Sequence, residues 1–313
     1  MTRERIYWAL VVGVGAALVG FGAPSWLALI SGFVIALGLQ RARPQALGVL
    51  TMYSLQLGII ALGAGMNLEV VLKIGVSGAA LTATGLAIAL VLGLVLGRLL
   101  RILGDTPLLI AVGTAICGGS AIAAVASAIK PKEHETSTAL AVVFMLNAVG
   151  LLVFPVIGHA LGLSEPVFGH WAALAIHDTS SVVGAGLAYG PIALGIATTT
   201  KLGRALWIVP VTIGVTLMRQ RDVRLRDVKW PWFILGFVLF AALFTWIPEL
   251  ARFAPPIVML GKRSLVLALF LIGLSLSRKA IATVGPRPFL LGVILWIVVA
   301  AASLPLAMLS VDF

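Results

Sequence analysis

The sequence predicts an all-α, polytopic membrane protein of about eleven transmembrane helices. Three observations lead there. The 313 residues are 61% hydrophobic and 11% charged, with a mean hydropathy of +1.13, whereas a soluble domain carries roughly a quarter charged residues. Apolar stretches of about 20 residues, enough to span a bilayer, recur along the whole chain. Between them lie short basic runs and nothing long enough to fold as a soluble domain. In lipid the backbone must satisfy its own polar groups, and for such runs the helix does so.

The spans are expected at about 6–22, 25–39, 48–66, 74–97, 107–129, 138–161, 167–188, 192–218, 231–247, 256–277 and 288–309, one integral membrane domain over 1–313. The first follows Arg3 and Arg5 and lacks a clear small-residue cleavage site, so it reads as a helix and not a removable signal. Asn67 and Glu69 mark the end of the third. In the fourth, Gly93 and Gly97 have the small-xxx-small spacing that lets helices approach closely. The fifth and seventh contain the unusual motifs described below. Asn147 lies within the sixth and suits an interhelical hydrogen bond or a solute contact. His159 and His170 flank the loop between the sixth and seventh spans. The longest connection, 220–229, is basic and too short to fold alone.

The net charge of +11 follows this pattern of loops, which argues for membrane topology and against a nucleic-acid face. Alternating sides from a cytoplasmic N-terminus puts fourteen basic residues inside: Arg3, Arg5, Arg41, Arg43, Arg98, Arg101, Arg219, Arg221, Arg224, Arg226, Lys229, Arg278, Lys279 and Arg287. Six fall outside: Lys73, Lys130, Lys132, Arg252, Lys262 and Arg263. The bias predicts a membrane protein with its N-terminus in the cytoplasm and its C-terminus outside. The stretches 57–75 and 267–285 echo one another, an internal similarity of the kind inverted-repeat transporters show, although the halves stay unassigned.

Two motifs interrupt otherwise ordinary spans. In ICGGSAIAA, residues 116–124, the pair Gly118–Gly119 costs about 2 kcal/mol of helix propensity, and Ser120 suits the cap of a restarted helix. The alternative is a continuous helix with glycines at a crossing. In HDTSSVVGAG, residues 177–186, Asp178 is the one carboxylate expected deep in a span. Intramembrane ionisable groups mark ion or solute paths by default, while Asp178-Thr179-Ser180-Ser181 also has the composition of a helix N-cap. The bland alternative is that His177 and Asp178 close a loop between two short helices. Two helix starts at mid-membrane would gather free N–H groups, a ready anion site. Three and four residues apart share a helix face, so Lys201 and Arg204 stand together. They are candidate charge partners for the anion or for Asp178; otherwise they snorkel to the outer interface. The single Cys117 excludes an internal disulfide and a Cys-rich metal site, and no cofactor motif occurs.

Together ICGGSAIAA, IHDTSSVVGA, ATTTKLGRALWI, LALFLIGLSLS and RPFLLGVILWIVVAAASLPL resemble the YeiH-type sulfate exporter family over nearly the whole chain. The resemblance implies a bacterial inner-membrane carrier with a cation/proton-antiporter-like fold of crossed, broken helices. Many relatives read GGK where this chain has Leu260-Gly261-Lys262.

The expected function is secondary active transport of a small anion, such as sulfate or another sulfur oxyanion. Gly118, Gly119, Ser120, Thr179, Ser180 and Ser181 would bind it, with Lys201 or Arg204 supplying positive charge. Asp178, with His177, would carry a coupling proton or contact a coupling sodium ion. The expected partners are this solute, the coupling ion and the bilayer, with no nucleic acid; a homodimer is compatible. An intramembrane enzyme would have to build its triad from His177, Asp178 and Ser180 or Ser181, whose side chains diverge around a helix. A passive channel would need polar residues at several depths, whereas here they concentrate at one.

Overall fold

A computed structural model describes residues 3–39, 45–218, 232–274 and 284–309. Among the described residues the chain is helical, with turns and no strand. Helices α1 (Arg3–Phe21), α2 (Ser25–Leu39), α3 (Gln45–Gly63) and α4 (Leu68–Leu99) cover the first four expected spans. The fourth starts earlier than its apolar run because Asn67 caps it: its side-chain oxygen accepts from the N–H of Glu69 at 2.8 Å. The second copy of the internal echo, 267–285, lies partly outside the described residues.

The fifth span is divided into α5 (Thr106–Ala115) and α6 (Gly119–Ile129), and the seventh into α8 (Glu165–Ala175) and α9 (Thr179–Tyr189), with α7 (Glu133–Ala160) between them. Then follow α10 (Pro191–Ala205), α11 (Ile208–Met218), α12 (Trp232–Trp246), a 3-10 turn over Pro248–Phe253, α13 (Ala254–Gly273) and α14 (Pro286–Leu309). The joint between α10 and α11 has a cause in Pro210, which has no N–H to give the carbonyl of Leu206.

Both broken segments fold back on themselves. In a straight α5–α6 the residues 105 and 129 would be about 36 Å apart at 1.5 Å per residue. Yet Asp105 N–H donates to Glu135 Oε1 at 3.3 Å, and the six residues from 129 to 135 reach at most about 21 Å. The halves must therefore form a hairpin. The second segment repeats the pattern: Glu165, at the start of α8, accepts from the N–H groups of Ile192 and Ala193 at 2.8 and 3.1 Å, just beyond the end of α9. Tyr189 donates to the carbonyl of Leu163 at 2.5 Å.

The two hairpins enter from opposite faces. Gly97, near the end of α4, packs on Pro107 at the mouth of the first hairpin. Met66, before the start of α4, packs on Gly195 and accepts from the Thr199 hydroxyl, near the mouth of the second. Helices α4, α7 and the jointed pair α10–α11 run between these faces. The breaks stand where the motifs put them; the difference lies in where the broken segments lead. An 11-residue helix reaches about 16 Å, half the ~30 Å hydrocarbon core, so two such halves suit a re-entrant hairpin as well as a crossing. Among the described residues this turns two of the eleven expected crossings into hairpins. Lys130 and Lys132, expected on the outer face, lie instead on the face where α4 ends.

Among the described residues four stretches are long and apolar enough to cross a membrane by length and composition: Glu133–Ala160, Pro191–Met218, Pro248–Gly273 and Pro286–Leu309. Helices α1, α2, α3, α12 and α13 pack on one flank, and the hairpins are clasped by α4, α7, α10 and α14. On that flank α2 and α13 touch at Gly32 and Gly273, where a Cβ on either would press into the other's backbone.

Candidate functional site at the hairpin tips

The two turns, Ile116–Gly118 and Ile176–Asp178, meet. Gly118 has φ +67°, a conformation that penalises any side chain. A Cβ there would lie 3.3 Å from the Cβ of Asp178. Glycine thus makes the sharp turn and lets the opposite tip approach.

Asp178 is the N-cap of α9. Its carboxylate accepts from Ser180 N–H at 3.1 Å, from Ser181 N–H at 3.2 Å and from the Ser180 hydroxyl. This revises the expected anion cradle, because the donors of Ser180 and Ser181 already have a resident acceptor. Thr179 is buried beside them. The start of α6 is different: Gly118 has no side chain to cap it, Gly119 is half-buried and Ser120 is exposed.

Lys201 and Arg204 are buried, at 0% and 1% exposure, so neither snorkels to an interface. Nor does either form an ion pair with Asp178. Lys201 Nζ donates to the carbonyls of Ile176 at 2.8 Å and Ala173 at 3.3 Å. Arg204 donates through Nε to Ala115 at 2.7 Å, through Nη2 to Thr114 at 3.1 Å, and through Nη1 to Leu174 at 2.6 Å and Ala173 at 3.4 Å. The acceptors are the last carbonyls of α5 and α8. Helix ends leave these groups without internal partners and carry the negative end of the dipole, so cations belong there. The charges complement three of the four helix ends: Asp178 serves a start, Lys201 and Arg204 serve two finishes.

Asn147, near the middle of α7, holds the second tip. Its Oδ1 accepts from the N–H of His177 at 3.0 Å and of Asp178 at 3.2 Å. Its Nδ2 has no partner among the described residues, nor has either ring nitrogen of His177 or the hydroxyl of Thr114. All three residues are at most 2% exposed. Cys117 is buried in the first turn. His170 reaches the Thr200 hydroxyl, 3.2 Å from its Nδ1, and so ties α8 to α10. His159 stacks on Tyr189 at the mouth of the second hairpin.

Sequence reasoning gave Asn147 little weight and missed Glu135 and Glu165, which close the hairpin mouths. A signal was present for both. Glu135 follows the helix-starting Lys132 by three residues, the reach-back position of a capping box, and Glu165-Pro166 opens α8.

Residues 10–292 match the family described as conserved hypothetical protein 698. Relatives include a UPF0324 membrane protein of Bdellovibrio bacteriovorus, 52% identical over 281 residues, covering 88% of this chain and 86% of the relative. One from Porphyromonas gingivalis is 46% identical, covering 91% and 88%. Another, from Geobacter sulfurreducens, is 42% identical, covering 93% and 94%. No solved structure matches.

Proposed function

The chain belongs to the conserved hypothetical protein 698 family, the YeiH-type UPF0324 membrane proteins, and on that footing we propose that it is a secondary active transporter of a small anion. The observation that carries this reading is the tip-to-tip meeting of two opposed hairpins around buried polar groups. Non-helical backbone at membrane depth is tolerated where protein covers it or where it lines a cavity. Interrupted helices are how carriers hold solutes near the midplane. The sign of the solute follows from charge. Lys201 and Arg204 are buried close to the junction, and among the described residues Asp178 is the single carboxylate there. A sulfur oxyanion such as sulfate suits that excess, moved outward across a bacterial inner membrane on a proton or sodium gradient.

Asp178 is the coupling residue in this reading, and the fold allows a clean test. Asparagine caps a helix as well as aspartate does, so Asp178→Asn should preserve α9. Wild-type protein in proteoliposomes should accumulate labelled sulfate under an imposed pH or sodium gradient. The variant should still exchange sulfate but lose gradient-driven accumulation. Accumulation in the variant with unchanged pH and sodium dependence would remove Asp178 from the coupling step. Absence of saturable flux of sulfate, sulfite or thiosulfate in the wild type would overturn the transport reading.

A further inference from the structure

Asn147 is locked in one orientation. Two backbone N–H groups, from His177 and Asp178, point at one end of its amide. Only the carbonyl oxygen can accept them, so the NH2 end is fixed on the other side. That end has two donors and no acceptor among the described residues. The His177 imidazole, on the residue whose backbone Asn147 holds, has neither ring nitrogen engaged and is 0% exposed. An imidazole carries at least one N–H whatever its protonation. Leaving such groups buried and unmatched forfeits their hydration with nothing in return, and natural structures almost always give them a partner.

We propose that Asn147 Nδ2 and the His177 imidazole form the donor pair of a small-oxyanion site at the hairpin junction. This rests on the anion-transport reading and names residues for it. A sulfate-like ion offers acceptor oxygens in several directions and no obligatory donor, which matches an amide NH2 and an imidazole N–H. Lys201 and Arg204 add positive potential although their own hydrogen bonds go to helix carbonyls. The α9 start is an inferior host, because Asp178 occupies its donors. Thus the solute is held beside the second tip by side chains, while the backbone N–H groups keep the tip in shape.

Two variants test the assignment on the purified full-length protein in detergent. Asn147→Asp keeps an acceptor for the two tip N–H groups and replaces the free NH2 with a carboxylate oxygen. His177→Leu removes the imidazole without supplying another side-chain donor and breaks no hydrogen bond among the described residues. Thermal unfolding is followed against sulfate, sulfite and thiosulfate at constant ionic strength, with chloride as control. Wild type should show a saturable rise in its midpoint with at least one oxyanion. Each variant should need at least tenfold more of that anion for the same rise. If Asn147→Asp fails to fold, His177→Leu decides. Wild-type affinity in the variants would overturn the donor pair and leave ordered water as the partner of these groups, with the transport reading intact. No saturable rise in the wild type together with no flux in proteoliposomes would sink both.

Discussion

At the scale of single residues, Arg204 connects parts of the chain that are far apart in sequence. Its four hydrogen bonds end on Thr114 and Ala115 of one hairpin and on Ala173 and Leu174 of the other. A planar fork with five donors can span two helix ends; an ammonium is a point charge and cannot. Among the described residues no carboxylate pairs with the cation, and helix carbonyls accept its hydrogen bonds. Arg204→Lys should therefore lower stability by about 2–4 kcal/mol, the range for breaking a buried charged network. A melting curve in detergent without added anion reads this directly. A midpoint within a degree of wild type would show that the guanidinium is not a structural cap, and would return Arg204 to the list of solute ligands.

At the scale of elements, the hairpins depend on their mouths as well as their tips. Glu165 joins the first turn of α8 to the free N–H groups at the start of α10, in the manner of an N-cap supplied from another helix. Glu165→Ala should cost about 1 kcal/mol and should raise hydrogen exchange at the amides of Ile192 and Ala193 while leaving those of α7 unchanged. Uniform exchange across both helices would mean the mouth is held by packing alone, through the stacked Phe168 and Tyr189 rings. The positions of the two breaks were legible in the sequence because they depend on local chemistry: Gly118–Gly119 disfavours a helix, and Asp178-Thr179-Ser180-Ser181 favours starting one. Their folding back was not legible. An apolar run of 23 residues has the same hydropathy whether its halves run on or reverse, and the deciding contacts, Asp105 to Glu135 and Glu165 to Ile192, join residues about thirty apart. Charge misled for the same reason. Lys201 and Arg204 beside a lone carboxylate suggest an ion pair, and only the assembled tips reveal that helix carbonyls are their partners.

At the scale of the whole molecule, the hairpins change the distribution of charge across the membrane. With crossings at the fifth and seventh spans, the sequence assigns fourteen basic residues to the N-terminal side and six to the other. Turning both segments into hairpins leaves every earlier and later loop on its original side, since two crossings are lost together. Only the loops between them change sides. Lys130 and Lys132 join the fourteen to give sixteen, and Lys73, Arg252, Lys262 and Arg263 remain as four. The re-entrant fold thus sharpens the asymmetry that orients membrane proteins, an agreement between charge and packing that neither was used to impose. The face with sixteen should be cytoplasmic. Two exposed positions separate the hairpin fold from straight crossings: His134, at the first mouth, and Ser164, at the second. In a Cys117→Ala background, a membrane-impermeant maleimide applied to intact cells should label Ser164→Cys and spare His134→Cys until the cells are opened. Straight crossings of both segments require the reverse result. Because the helices on either side keep their orientation in both cases, that reversal would place the error in the hairpins and nowhere else in the fold.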